Sequence, residues 1–95
     1  MSEIKSGANS VFQRGRKLQR EGRLEEAIAL FREAIKRNPS FSWNYYLLGE
    51  VLAKKNQLRE AASCYKKALS LNPEKYQFYQ AALDGLRKIP MEQKN

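Results

Sequence analysis

The sequence predicts an all-α protein, a stacked array of antiparallel helix pairs with five helices. Three observations predict it. The chain repeats itself at an offset of 34 residues, each repeat holds two amphipathic runs separated by a turn, and the first and last runs are polar on one side. A fixed period of this length marks a repeat architecture whose units bury their apolar faces against one another.

The repeat is plainest between Tyr45 and Pro73. It reads Tyr45-x-x-Leu48-Gly49-x-x-Leu52, then Ala61-x-x-x-Tyr65, Ala68 and Asn72-Pro73. Moved back by 34, it returns as Val11-x-x-Arg14-Gly15-x-x-Leu18, Ala27-x-x-x-Phe31, Ala34 and Asn38-Pro39. Gly, Leu, Leu, Glu, Ala, Ala, Asn and Pro are identical at 15/49, 18/52, 24/58, 26/60, 27/61, 34/68, 38/72 and 39/73. The units are 8–41 and 42–75, and a closing helix spans 76–89.

Residues 1–7 read as a flexible lead, and Asn9 or Ser10 could cap a first helix over about 9–21. In that helix Arg14 and Lys17 stand where the second unit has Leu48 and Val51. A first unit has no predecessor to cover, so polar residues can face water, and the array is expected to begin here. Gly22 and Asn56 sit where the first helix of each unit must stop, and both residue types accept the left-handed conformation that ends helices. The second helix, 24–37, turns Leu24, Ala27, Ile28, Phe31, Ala34 and Ile35 inward. The steps of three and four define one helical face. Pro39 and Pro73 prevent continuation of the second helix of each unit.

The third helix, about 42–55, is capped by Ser40 or Ser42. The fourth covers 58–71. Gly49 and Ala61 are small where this pair crosses, and Tyr65, like Phe31 before it, supplies the bulk beside the crossing. The fifth helix, about 74–88, offers Tyr76, Tyr79, Ala82, Leu83, Leu86 and Ile89 to close the array, with Gln77, Gln80, Asp84, Arg87 and Lys88 on its polar side. Residues 90–95 read as a tail after Pro90.

Composition narrows the function. The 95 residues suffice for one domain, and no apolar run is long enough to span a membrane. The lead lacks the apolar core of a secretory signal, so the cytoplasm is the default location. A single cysteine excludes an internal disulfide, and Cys64 reads as a small core residue. With no histidine, the usual zinc sites and His-based catalysis are not to be had, and no metal, cofactor or catalytic residue is expected. The net charge of +8 raises the question of nucleic acid, with Arg14, Arg16, Lys17, Arg20 and Arg23 as the basic set. Much of the charge punctuates helix ends, where it complements the helix dipole, and this argues against nucleic acid. Glu50 and Asp84, one repeat apart, are too open and too close to basic neighbours for acid–base chemistry.

The motif resembles the tetratricopeptide repeat family, whose signature runs Trp-x-x-Leu-Gly-x-x-Tyr, Ala-x-x-x-Phe, Ala, Pro. Tyr45 stands for the Trp, Leu52 for the Tyr and Tyr65 for the Phe. The first unit departs at Val11 and Arg14. A partial third unit keeps only Tyr79-x-x-Ala82-Leu83-x-x-Leu86. The resemblance covers roughly 8–89 and implies a right-handed superhelix whose concave face is lined by the first helix of each unit. It further implies a protein-interaction role without chemistry. The groove residues are then Asn9, Phe12, Arg16, Gln19 and Arg20 from the first helix, Trp43, Tyr46, Leu47, Glu50 and Lys54 from the third, and Gln77, Gln80 and Asp84 from the fifth. Phe12 and Tyr46 are 34 apart and should stack along one wall. The partner is expected to be a protein or peptide with acidic or apolar and aromatic character. Dimerisation of the chain and a basic nucleic-acid-binding repeat are the alternatives. Some members clamp a chaperone's C-terminal carboxylate with Lys and Asn. The matching places here hold Phe12, Arg16, Leu47, Gln77 and Ala81, so that clamp is not expected.

Overall fold

The computed structural model describes residues 7–88, with side chains from Val11 onward. The five α-helices are α1 (Gly7–Arg20), α2 (Leu24–Arg37), α3 (Ser42–Lys54), α4 (Leu58–Leu71) and α5 (Tyr76–Arg87). A 3-10 turn over Pro73–Lys75 leads into α5. Successive helices pack in sequence, α2 between α1 and α3, and α4 between α3 and α5. No strand occurs among the described residues.

The turns follow from two left-handed residues. Gly22 has φ 76° and Asn56 φ 65°. Arg23 N–H reaches back to Leu18 O at 2.9 Å and Gly22 N–H to Gln19 O at 3.0 Å. Gln57 and Asn56 repeat the pattern onto Leu52 and Ala53, both at 2.9 Å. These paired bonds satisfy carbonyls that a helix end otherwise leaves open. Asn56→Val should cost ~1–2 kcal/mol, because a β-branched side chain is strained at positive φ, whereas Asn56→Gly should change stability by only a few tenths. Urea unfolding of both variants checks this.

The core follows the expected face. Ala27, Ile28, Phe31, Leu48, Val51, Leu52 and Ala61 are buried in one cluster, with Leu24 and Ile35 packed against it. Arg14 and Lys17 are exposed while their equivalents Leu48 and Val51 are buried. Each close helix pair places glycine against an aromatic ring. A Cβ on Gly15 would lie 2.6 Å from Phe31 Cε1, and one on Gly49 would lie 2.6 Å from Tyr65 Cε1. The units are also tied by ions. Arg32 donates to Glu60 at 2.8 Å, and Lys55 pairs with Glu25.

Several boundaries differ from the sequence reading. Helix α1 begins at Gly7, so Asn9 and Ser10 are inside it rather than capping it. Neither Ser40 nor Ser42 caps α3. Its cap position is Phe41, and the buried Ser42 hydroxyl instead shares a 3.0 Å hydrogen bond with the Tyr79 hydroxyl. Tyr76 does not close the array; it is 54% exposed, and Tyr79 is the buried residue of α5. Ile89 and the tail at 90–95 lie outside the described residues. Cys64 packs against the core, and burial pushes its thiol up to about 11. At pH 8 its alkylation should run roughly a hundredfold slower than in the urea-unfolded chain, since the thiolate is the nucleophile. Timed thiol labelling in both states measures the ratio.

Candidate functional site

The face shared by α1, α3 and α5 is built from aromatic side chains. Trp43 on α3 stacks on Tyr46 one turn along, with centroids 4.9 Å apart and planes at 24°. Phe12 of α1 approaches Trp43 at 6.3 Å with planes tilted at 44°, and Phe78 of α5 lies 5.8 Å from Trp43 at 25°. Phe78 also meets Tyr46 at 4.9 Å and Tyr79 edge-on at 5.3 Å. Behind them, Tyr46 contacts Tyr65 at 5.6 Å. Offset and edge-on pairs of this kind contribute ~0.5–1.5 kcal/mol each beyond the area they bury. The strip therefore crosses three first helices as one body.

Polar groups fix its α1 end. Arg16 stands over the Phe12 ring with its guanidinium carbon 5.3 Å from the centroid. The same side chain places Nη1 2.9 Å from Glu50 Oε1 and donates to Gln19 Oε1 at 3.1 Å. Tyr46 O–H donates to the other Glu50 oxygen, Oε2, at 2.8 Å. Burial, and then the hydrogen bond and charge of Glu50, push the Tyr46 phenol well above its usual range, so it stays a donor beyond the pH at which a free phenol ionises. Gln19 Nε2 and Glu50 Oε1 are buried without a well-aligned hydrogen bond. The Arg16–Glu50 contact at Oε1 is thus one of charge rather than of hydrogen-bond geometry.

The remaining groove candidates fall into four groups. Arg20, Lys54 and Gln77 are exposed. Gln80 donates to Asp84 Oδ1 at 3.1 Å, which places these two together on α5. Leu47 is a correction. It is 1% exposed within the core cluster and offers no surface to the groove. Asn9 lies on α1, but its side chain falls outside the described residues.

Phe78 was missed by the sequence reading. The 34-residue register projects it onto Asn44, which is 4% exposed, so the repeat gave no reason to place it on the groove. The available signal was local. Tyr76, Phe78 and Tyr79 crowd one helix turn, and three rings at that spacing cannot all face inward.

The charges do not form a continuous basic track. Arg23 is bonded to Glu26 at 2.6 Å and Glu21 at 2.9 Å, and Arg16 is held by Glu50. Of the five basic residues read as a set, Arg14, Lys17 and Arg20 extend into solvent. Glu50 is already engaged by Tyr46 and Arg16, and Asp84 by Gln80. Among the described residues no helix is long and apolar enough to cross a membrane, and no cluster of three potential metal ligands occurs.

A protein-family model described as Tetratricopeptide repeat matches residues 18–86. No curated protein matches the chain in a sequence search.

Proposed function

The chain belongs to the tetratricopeptide repeat family, and on that premise we propose that it is a non-catalytic protein-interaction module. Its ligand is an extended or helical peptide segment bound along α1, α3 and α5. One observation carries this reading, the continuous run of Phe12, Trp43, Tyr46 and Phe78 across three helices, with Phe78 44% exposed at its edge. Large aromatic side chains set in a polar rim are the usual composition of binding hot spots. Arg16 stands over Phe12 at one end of the run, and Arg20 and Lys54 lie exposed about two turns further along α1 and α3, so the preferred segment carries an apolar or aromatic anchor and an acidic residue.

The test is selection of peptides from a random displayed library, followed by affinity measurement on Trp43→Ala and on Arg20→Ala. Selected peptides should contain an aromatic or long apolar residue near Asp or Glu. Trp43→Ala should weaken them at least thirtyfold, in keeping with a hot-spot loss of ~2 kcal/mol or more. Arg20→Ala should weaken them a few-fold and reduce their salt dependence. Peptides whose affinity ignores Trp43→Ala would remove the basis of the proposal. A wild-type dimer dissociated by Trp43→Ala would show that a second copy occupies the groove instead.

A further inference from the structure

The two ends of the array are chemically unlike. At the α1–α2 end, a recess of about 550 Å³ is lined by Arg14, Lys17, Glu21, Arg23 and Glu26 around Leu18. At the α4–α5 end, a groove of about 690 Å³ is lined by leucines. Leu58 and Leu69, with Ala62 between them, come from α4, and Leu83 and Leu86 come from α5.

The repeat explains what those α4 residues lack. Shifted back by 34, Leu58, Ala62 and Leu69 become Leu24, Ile28 and Ile35. In the first unit Ile28 is 5% exposed in the core, and Leu24 and Ile35 pack against it. There the next unit supplies two helices. Among the described residues the second unit is followed by α5 alone; Ala62 is half-buried where Ile28 is buried, and Leu58 and Leu69 line the open groove.

Among the described residues three cations border the groove, Arg59, Lys66 and Arg87, and no carboxylate lines it, although Arg87 Nη1 lies 4.0 Å from Asp84 of its own helix. Lys66 occupies the repeat position of Arg32, which bonds to Glu60 on the following unit's second helix at 2.8 Å. A helix in the corresponding place would meet Lys66 with a carboxylate of its own. Arg59 stands where the first unit has the acidic Glu25, so the rim is more basic here than in the covered unit. A second copy docked by the same face would set these cations against one another, which disfavours it. Where Gly15 and Gly49 admit Phe31 and Tyr65, α5 has Leu83, so the occupant must present a small residue at that point.

We propose that the α4–α5 groove is a second docking site, which receives an acidic amphipathic helix of a partner protein in the place that a second helix paired with α5 would take. Two stapled 14-residue peptides test it on the full chain. Both carry a Leu/Ala stripe at helical spacing, one flanked by Glu and the other by Lys. The Glu peptide should bind at least tenfold tighter, shifting the methyl resonances of Leu58 and Leu83 but not the Trp43 indole N–H. Arg59→Glu/Lys66→Glu should reverse the preference with unchanged helical circular dichroism, and Trp43→Ala should leave the affinity unaltered. That last control separates this site from the aromatic groove. Equal affinity of the two peptides, absence of binding, or shifts confined to Trp43 would each overturn the proposal. So would a dimer dissociated by Leu83→Glu, which assigns the face to a second copy. Binding seen only after removal of residues 89–95 would overturn it in favour of the chain's own tail.

Discussion

Gly49→Ala is expected to destabilise the protein by ~2–3 kcal/mol, although alanine is the better helix former. In an open helix the exchange stabilises by up to ~1 kcal/mol. At position 49 the added Cβ would lie 2.6 Å from Cε1 and 2.8 Å from Cδ1 of Tyr65. The ring has little room to yield, since Tyr65 is 5% exposed and the Tyr46 ring lies 5.6 Å from it. Overpacking a closed contact costs ~1–3 kcal/mol and more where backbones must separate. Gly85 is the control on the same chain, because a Cβ there meets nothing within 4 Å. Gly85→Ala should therefore stabilise by ~0.5–1 kcal/mol, the opposite sign. Denaturant midpoints give both values, and Tyr65→Leu in the Gly49→Ala background should recover part of the loss, because the two sites share one contact. Equal stabilisation by both alanines would mean that α3 and α4 do not approach as described.

Phe31→Ala should be more severe, at ~3–5 kcal/mol. The ring is fully buried and rests against Gly15, so its removal leaves a cavity between α1 and α2. A chain of this length has ~5–14 kcal/mol of total stability, so the loss is a large fraction of it. The urea midpoint should fall steeply while the slope of the transition stays unchanged, as expected when the native state alone is weakened. Phe78→Ala provides the contrast. That ring is 44% exposed but meets Trp43, Tyr46 and Tyr79, so its truncation should cost ~1.5–2.5 kcal/mol in folding, less than Phe31→Ala, while it weakens the groove ligand. Folding and binding thus separate onto different aromatic residues.

Where the 34-residue period and local chemistry agreed, the structure was legible. Gly22 and Asn56 both take positive φ, and Gly15 and Gly49 both lie beneath a ring. Polar Arg14 and Lys17 face out where Leu48 and Val51 face in. The period failed where a helix has neighbours on several sides. Helix α3 runs between α2 and α4 and buries Leu47, Leu48, Val51 and Leu52, so no single apolar stripe told core from groove. Leu47 was assigned to the wrong side for that reason. It failed again where the third unit breaks off. Helix α5 has Leu83 in place of the seat glycine, and its aromatic residues settle differently, Tyr79 inward, Phe78 onto Trp43 and Tyr76 into solvent. Ser42 shows a third cause. A side chain suited to capping formed a long-range hydrogen bond to Tyr79 instead, and sequence spacing carries no sign of such a partner.

The most direct measurement of the central claim is a chemical-shift map of the full chain titrated with a selected peptide, read at the backbone amides and at the single indole N–H of Trp43. The predicted result is that the largest shifts fall on the indole and on the α1, α3 and α5 residues around Phe12, Tyr46 and Phe78. Shifts confined to the exposed sides of α2 and α4, with the indole unmoved at saturation, would contradict recognition along the aromatic face.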